Sequence, residues 1–138
     1  MINFDVTNEL MCIARGRGRF YAKKGSMVAF KGDFRFEKLL LGPNNGGGLG
    51  GALLGHLQRK ITGENMPIMS VEGSGEVYLA ENAYHVDVIH LEPGDSINVE
   101  SENLLAFTEA LTYSTTFVGS GVISQRGLFS TYLKNNTN

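Results

Sequence analysis

The chain has 138 residues and one cysteine, enough length for a core of its own, and the lone Cys12 excludes internal disulfides and multi-cysteine metal sites. With 42% hydrophobic and 19% charged residues it reads as an ordinary globular protein, and a net charge of −2 argues against a dedicated nucleic-acid binder, whose domain is typically basic. No apolar run approaches the roughly 20 residues of a spanning helix, and Asp5 and Glu9 sit where a secretory signal is basic and then apolar, so a cytoplasmic protein is expected.

In chain order, strand-like runs are expected at INFDV (2–6), LMCIA (10–14), RFYAK (19–23), MVAFK (27–31) and FRFEK (34–38). They continue at PIMSVEG (67–73), GEVYLA (75–80), HVDVIHL (85–91), SINVE (96–100), LLAFT (104–108) and TTFVG (115–119). Phe34 and Phe36 alternate with Arg35 and Glu37, the pattern of a strand wet on one face, whereas HVDVIHL mixes apolar residues on both faces and predicts a strand covered on both sides. RGRGRF (15–20) predicts a charged hairpin loop, and KGDF (31–34) and EPGDS (92–96) predict tight hairpins or arches, Pro93 setting the first corner and Gly94 free to take a positive φ. Gly73-Ser74-Gly75 also reads as a turn, and the terminal KNNTN as frayed.

The one predicted helix follows a glycine-rich loop in NNGGGLGGALLGHLQRKITGEN (44–65), where Leu49, Leu53, Leu54, Leu57 and Ile61 fall at helical spacing. Many short strands without alternating helices predict an all-β fold: one antiparallel β-sandwich or barrel domain over 1–138, with that loop and short helix inserted at 44–63.

Chemistry is sparse. Gly46 to Gly51 formally satisfies GxGxxG, but no βαβ unit surrounds it and no Gly-Lys-Ser/Thr ends it, so it reads as a linker rather than a phosphate cradle. Of the three histidines, His56, His85 and His90, the last two are five apart and face opposite sides of a regular strand, so they cannot share a metal without a bulge; no metal and no cofactor are expected. Carboxylates of the second half, Glu72 and Glu76 among them, read as solvated surface, Gly73-Ser74-Gly75 is no nucleophile elbow, and no catalytic residues emerge. Charge is nonetheless uneven. Residues 1–60 hold ten Lys/Arg against four Asp/Glu, and residues 61–138 two against ten. We read this as basic and acidic strands side by side, or facing a neighbouring subunit, in preference to a nucleic-acid surface. Anion or partner binding, if present, falls to Arg15, Arg17 and Arg19 with Phe20 and Tyr21 beside them, and to the basic helix end His56, Arg59 and Lys60.

Several pieces combine into a resemblance. Gly-Ser-Met-Val (25–28), Thr-Gly-Glu (62–64), Gly-Glu-Val-Tyr-Leu-Ala (75–80) and Pro-Gly-Asp (93–95), in that order and spacing, resemble the bacterial branch of the altered-inheritance-of-mitochondria family. The resemblance implies a β-sandwich related to the tryptophan RNA-binding attenuator fold, a double-stranded β-helix variant, assembled into symmetric homo-oligomers, with mitochondrial relatives tied to inner-membrane organisation. It implies structural rather than catalytic roles for Gly25, Met27, Gly63, Glu64, Gly75, Glu76, Tyr78, Pro93, Gly94 and Asp95. Members usually continue into a second β-unit, so GLFSTYLKNNTN (127–138) reads as its remnant and the chain as a shortened member. The functional expectation is a non-enzymatic scaffold or interaction module forming homo-oligomers; the alternative is a binding domain for RNA or lipid headgroups, with peripheral membrane contact.

Overall fold

Alternating side chains dominate the strands of a computed structural model that describes residues 1–39, 68–117 and 129–138. The chain order is β1 (Ile2–Val6), β2 (Cys12–Lys23), β3 (Met27–Leu39), β4 (Ile68–Leu79), β5 (Ser96–Glu100), a single 3-10 turn (Ser101–Asn103), β6 (Ala106–Thr108), β7 (Leu111–Phe117) and β8 (Phe129–Asn135). The expected all-β class holds: the strands form two antiparallel sheets, and the described residues contain no α-helix. The helix expected at 49–61 lies outside the described residues.

The first sheet runs β1-β2-β4-β3, with β6 pairing the far part of β2. It belongs to a compact unit of Met1–Lys38, Met69–His90 and Leu105–Glu109. β1 pairs β2 in the register Ile2↔Gly16 to Val6↔Cys12, and β6 takes over at Phe20↔Thr108 to Ala22↔Ala106. One face buries Ile2, Cys12, Ala14, Phe20 and Ala22 against Met69, Val71, Val77 and Leu79. Apart from Ile2 on β1, these are even positions of β2 and odd positions of β4, as the two-residue period of a strand requires. Phe20 is fully buried, and Phe4 meets it edge to face at 5.5 Å between ring centroids.

Three expected turns are instead bends within continuous strands. RGRGRF is the middle of β2 and not a hairpin loop; KGDF does not reverse β3; Gly73-Ser74-Gly75 does not end β4. Six expected runs therefore merge into three long strands. The physical reason is that glycines of neighbouring strands line up. Gly16 and Gly18 on β2, Gly73 and Gly75 on β4 and Gly32 on β3 all adopt positive φ, which L side chains rarely tolerate. A Cβ on Gly75 would stand 2.0 Å from the Lys31 carbonyl oxygen and 3.0 Å from Gly32 Cα, and one on Gly16 would stand 2.2 Å from the Met1 carbonyl oxygen. A seam of glycines lets the whole sheet fold over without losing its pairing. Its sharpness shows on β3: Phe30 and Phe36 would lie roughly 20 Å apart on a flat strand, yet their ring centroids are 5.2 Å apart.

HVDVIHL is not the expected doubly covered strand. It forms no strand among the described residues; Val86 donates its N–H to the Glu9 carbonyl at 2.7 Å, Val86 and Val88 pack on the core, and Ile89 is 64% exposed. Apolar composition supplied the expectation, and the lack of a partner strand among the described residues overrides it.

The second sheet, order β5-β8-β7, belongs to a second compact unit of Leu39–Ile68, Leu91–Leu104 and Ala110–Asn138. Its central strand is β8, registered Val99↔Thr131 on one side and Thr115↔Thr131 on the other. Lys134 and Asn135, expected to fray, complete that strand, and the Asn135 amide also donates to the Leu91 carbonyl at 2.8 Å. Pro93-Gly94 forms the expected turn, with Gly94 at φ 93° and the Asp95 N–H donating to the Glu92 carbonyl at 2.9 Å. The buried Ser101 and Thr131 hydroxyls bond each other at 2.8 Å.

Candidate interaction site

Opposite the core, β2 presents Arg15, Arg17, Arg19, Tyr21 and Lys23, and its neighbour β4 presents Glu72, Glu76 and Tyr78. Here the uneven charge of the sequence resolves, because the basic strand lies beside the acidic one. Arg15 Nε donates to Glu76 Oε1 at 2.9 Å, and Arg19 Nη2 donates to Glu72 Oε2 at 2.8 Å. Arg35, from β3, reaches the same Glu72 oxygen at 3.7 Å. The Tyr78 hydroxyl donates to Glu76 Oε2 at 2.7 Å, and Lys23 pairs with Glu81. Arg17 is exposed and has no ion pair among the described residues.

These contacts fix the protonation of the face. The Arg19 hydrogen bond and charge hold the Glu72 carboxyl below its ordinary range, and the Tyr78 hydroxyl followed by Arg15 does the same for Glu76. In return Glu76 pushes the Tyr78 phenol up, and Glu72 raises the Arg19 guanidinium. Both carboxylates are thereby tuned to stay ionised, the opposite of what a proton donor near neutrality needs. The Cys12 thiol is pushed up to about 11, chiefly by burial, which suppresses the thiolate that nucleophilic or redox chemistry requires.

The β3 edge of the first sheet is different. Among the described residues β3 is paired on one side only, by β4. Val28 is 58% exposed and Phe30 47%, and Phe30, Phe34 and Phe36 form a ring cluster, with Phe30 to Phe34 at 6.4 Å, on the core side of the bend. Lys31 and Asp33 sit exposed at the bend itself and enter no ion pair among the described residues. This edge is the feature that sequence reasoning missed. Its signal was present as phenylalanine at three even positions, but reading KGDF as a reversal split the strand and hid their common face.

The remaining expected residues fall apart from both features. His56, Arg59, Lys60, Gly63 and Glu64 lie outside the described residues. Gly25 takes φ 85° in the turn before β3, whose first residue, Met27, packs on the core. Pro93, Gly94 and Asp95 shape the turn before β5. His85 and His90 sit on the segment between β4 and β5, and among the described residues no group of three His, Cys, Asp or Glu side chains is placed to hold a metal. No helix among the described residues is long and apolar enough to cross a membrane.

Comparison with known proteins gives two positive findings. The family model described as mitochondrial biogenesis AIM24 matches residues 8–137. The crystal structure of protein SPYM3_0169 from Streptococcus pyogenes superposes with a TM-score of 0.53 at 20% identity, a likeness of fold covering 98% of this chain and 60% of that one. The present chain thus spans less than two thirds of that protein's length. No curated protein matches the sequence.

Proposed function

We propose, on the premise that the chain belongs to the AIM24 family of mitochondrial biogenesis proteins, that it is a non-enzymatic scaffold or interaction module that assembles with copies of itself. The observation that carries this reading is the β3 edge, which among the described residues is a sheet margin paired on one side only, with Val28 and Phe30 exposed. Exposed edge strands pair readily with further strands, and soluble proteins that leave one apolar generally use it. The low-lying carboxyls of Glu72 and Glu76 and the suppressed Cys12 thiol support a role without proton donation by these carboxyls or thiol chemistry at Cys12.

The alternative is anion recognition, of RNA or lipid headgroups, through Arg15, Arg17 and Arg19. Two of these guanidinium groups are already engaged by Glu76 and Glu72, so an incoming phosphate must compete with carboxylates fixed on the same sheet. That cost favours the interaction module. Light scattering at micromolar concentration, paired with a salt titration against RNA and anionic vesicles, tests the choice. We expect a mass above one chain and no steeply salt-dependent binding; a monomer that binds RNA or vesicles with affinity falling sharply in salt overturns the proposal.

A further inference from the structure

The geometry points to a two-fold interface in which β3 pairs antiparallel with β3 of a second copy, the axis passing through Gly32. This interface rests on the self-association proposed above and specifies its surface and register. Three observations converge on it.

The first is shape. The bend crosses β2, β4 and β3 as a line of positive-φ glycines that ends at Gly32 on β3, the edge strand there among the described residues. A strand added beside β3 must bend at the same level, or backbone pairing fails on one side of the seam. A second β3 centred on Gly32 does so, since a two-fold axis normal to the sheet keeps its bend aligned and its concave face on the same side.

The second is apolar matching. With Gly32 opposite its symmetry mate, Phe30 faces Phe34 of the partner subunit and Val28 faces Phe36 of the partner subunit, each contact occurring twice. The exposed members, Val28 and Phe30, are thereby the ones covered. Aromatic pairs directly opposite each other are among the stabilising cross-strand pairs.

The third is charge. In the same register Lys31 lies opposite Asp33 of the partner subunit, twice, while Arg35 keeps its own Glu72. Sliding by one two-residue step in either direction sets Lys31 against another Lys31 or against Arg35, and is repelled. A slide of two steps restores opposite charges, Lys31 to Glu37 and Asp33 to Arg35, but puts Phe30 against Lys38 and the two bends out of line.

Charge swaps at the exposed pair test both interface and register. Sedimentation equilibrium of the full chain is run on the wild type, on Lys31→Asp, on Asp33→Lys and on the double swap Lys31→Asp/Asp33→Lys, with circular dichroism verifying the fold of each. We expect self-association in the wild type, weakening by about tenfold or more in each single swap as two attractions become two repulsions, and recovery to within about threefold in the double swap. Self-association that ignores all three variants refutes this interface while leaving the homo-oligomer intact. A double swap weaker than either single swap refutes the Gly32 register in favour of the two-step slide. A monomeric wild type removes the interface and the self-association together.

Discussion

The Ser101–Thr131 hydroxyl pair offers a sharp energetic test of the second sheet. Thr131 lies on the central strand β8 and is fully buried; Ser101, in the 3-10 turn, is 2% exposed, and their hydroxyl oxygens are 2.8 Å apart. Thr131→Val keeps the shape but strands the Ser101 hydroxyl away from water, and an unsatisfied buried hydroxyl costs about 1–3 kcal/mol. Ser101→Ala strands Thr131 in the same way and adds a small void. Making both changes removes donor and acceptor together, so the double variant should lose about 1–2 kcal/mol less than the two singles combined, the coupling expected of residues in direct contact. Urea unfolding followed by far-ultraviolet circular dichroism measures all four proteins, the chain having no tryptophan to report by fluorescence. If the two single costs simply add, the hydroxyls are not each other's partners and the reasoning fails.

Two further outcomes follow from the first sheet. Gly75→Ala, whose Cβ would meet the Lys31 carbonyl oxygen at 2.0 Å, should lower stability by roughly 3 kcal/mol from the strained φ plus the lost pairing of β3; Gly25→Ala, at φ 85° with nothing within 4 Å of its Cβ, should show the smaller conformational strain alone, and equal losses in thermal unfolding would refute the seam. For pH, the depressed Glu72 and Glu76 carboxyls contribute stability that is fully present above the unfolded carboxylate range of about 4.3 and is lost as pH falls through their lower folded values, while the raised Tyr78 phenol contributes stability present below about 10 and lost above it. Urea midpoints across this range should fall at both ends. Glu72→Gln/Glu76→Gln should flatten the acid limb, and an unchanged limb would assign acid sensitivity to other groups.

Much of the backbone was legible without coordinates. INFDV and SINVE end where β1 and β5 end, because a short alternating run bounded by polar residues needs no distant information. Pro93-Gly94 specifies its own turn, since the proline ring fixes one φ and the missing Cβ permits the next. The order of motifs from Gly25 to Asp95 likewise pointed to the family whose model matches residues 8–137. In each case the deciding energy is local to a few consecutive residues.

Tertiary structure decided the rest. A glycine between two apolar runs can end a strand or bend it, and the choice depends on what lies across the sheet; Gly32 and Gly75 bend against each other, and Gly73 against the backbone of Asp33 and Phe34. Arg15 and Arg19 become partners of Glu76 and Glu72 only because β4, distant in sequence, docks beside β2. Val86 and Val88 find core contacts but no partner strand among the described residues, so apolar composition alone did not make a strand of them. Side-chain alternation is written along one strand, whereas pairing, bending and charge neutralisation belong to residues brought together across several.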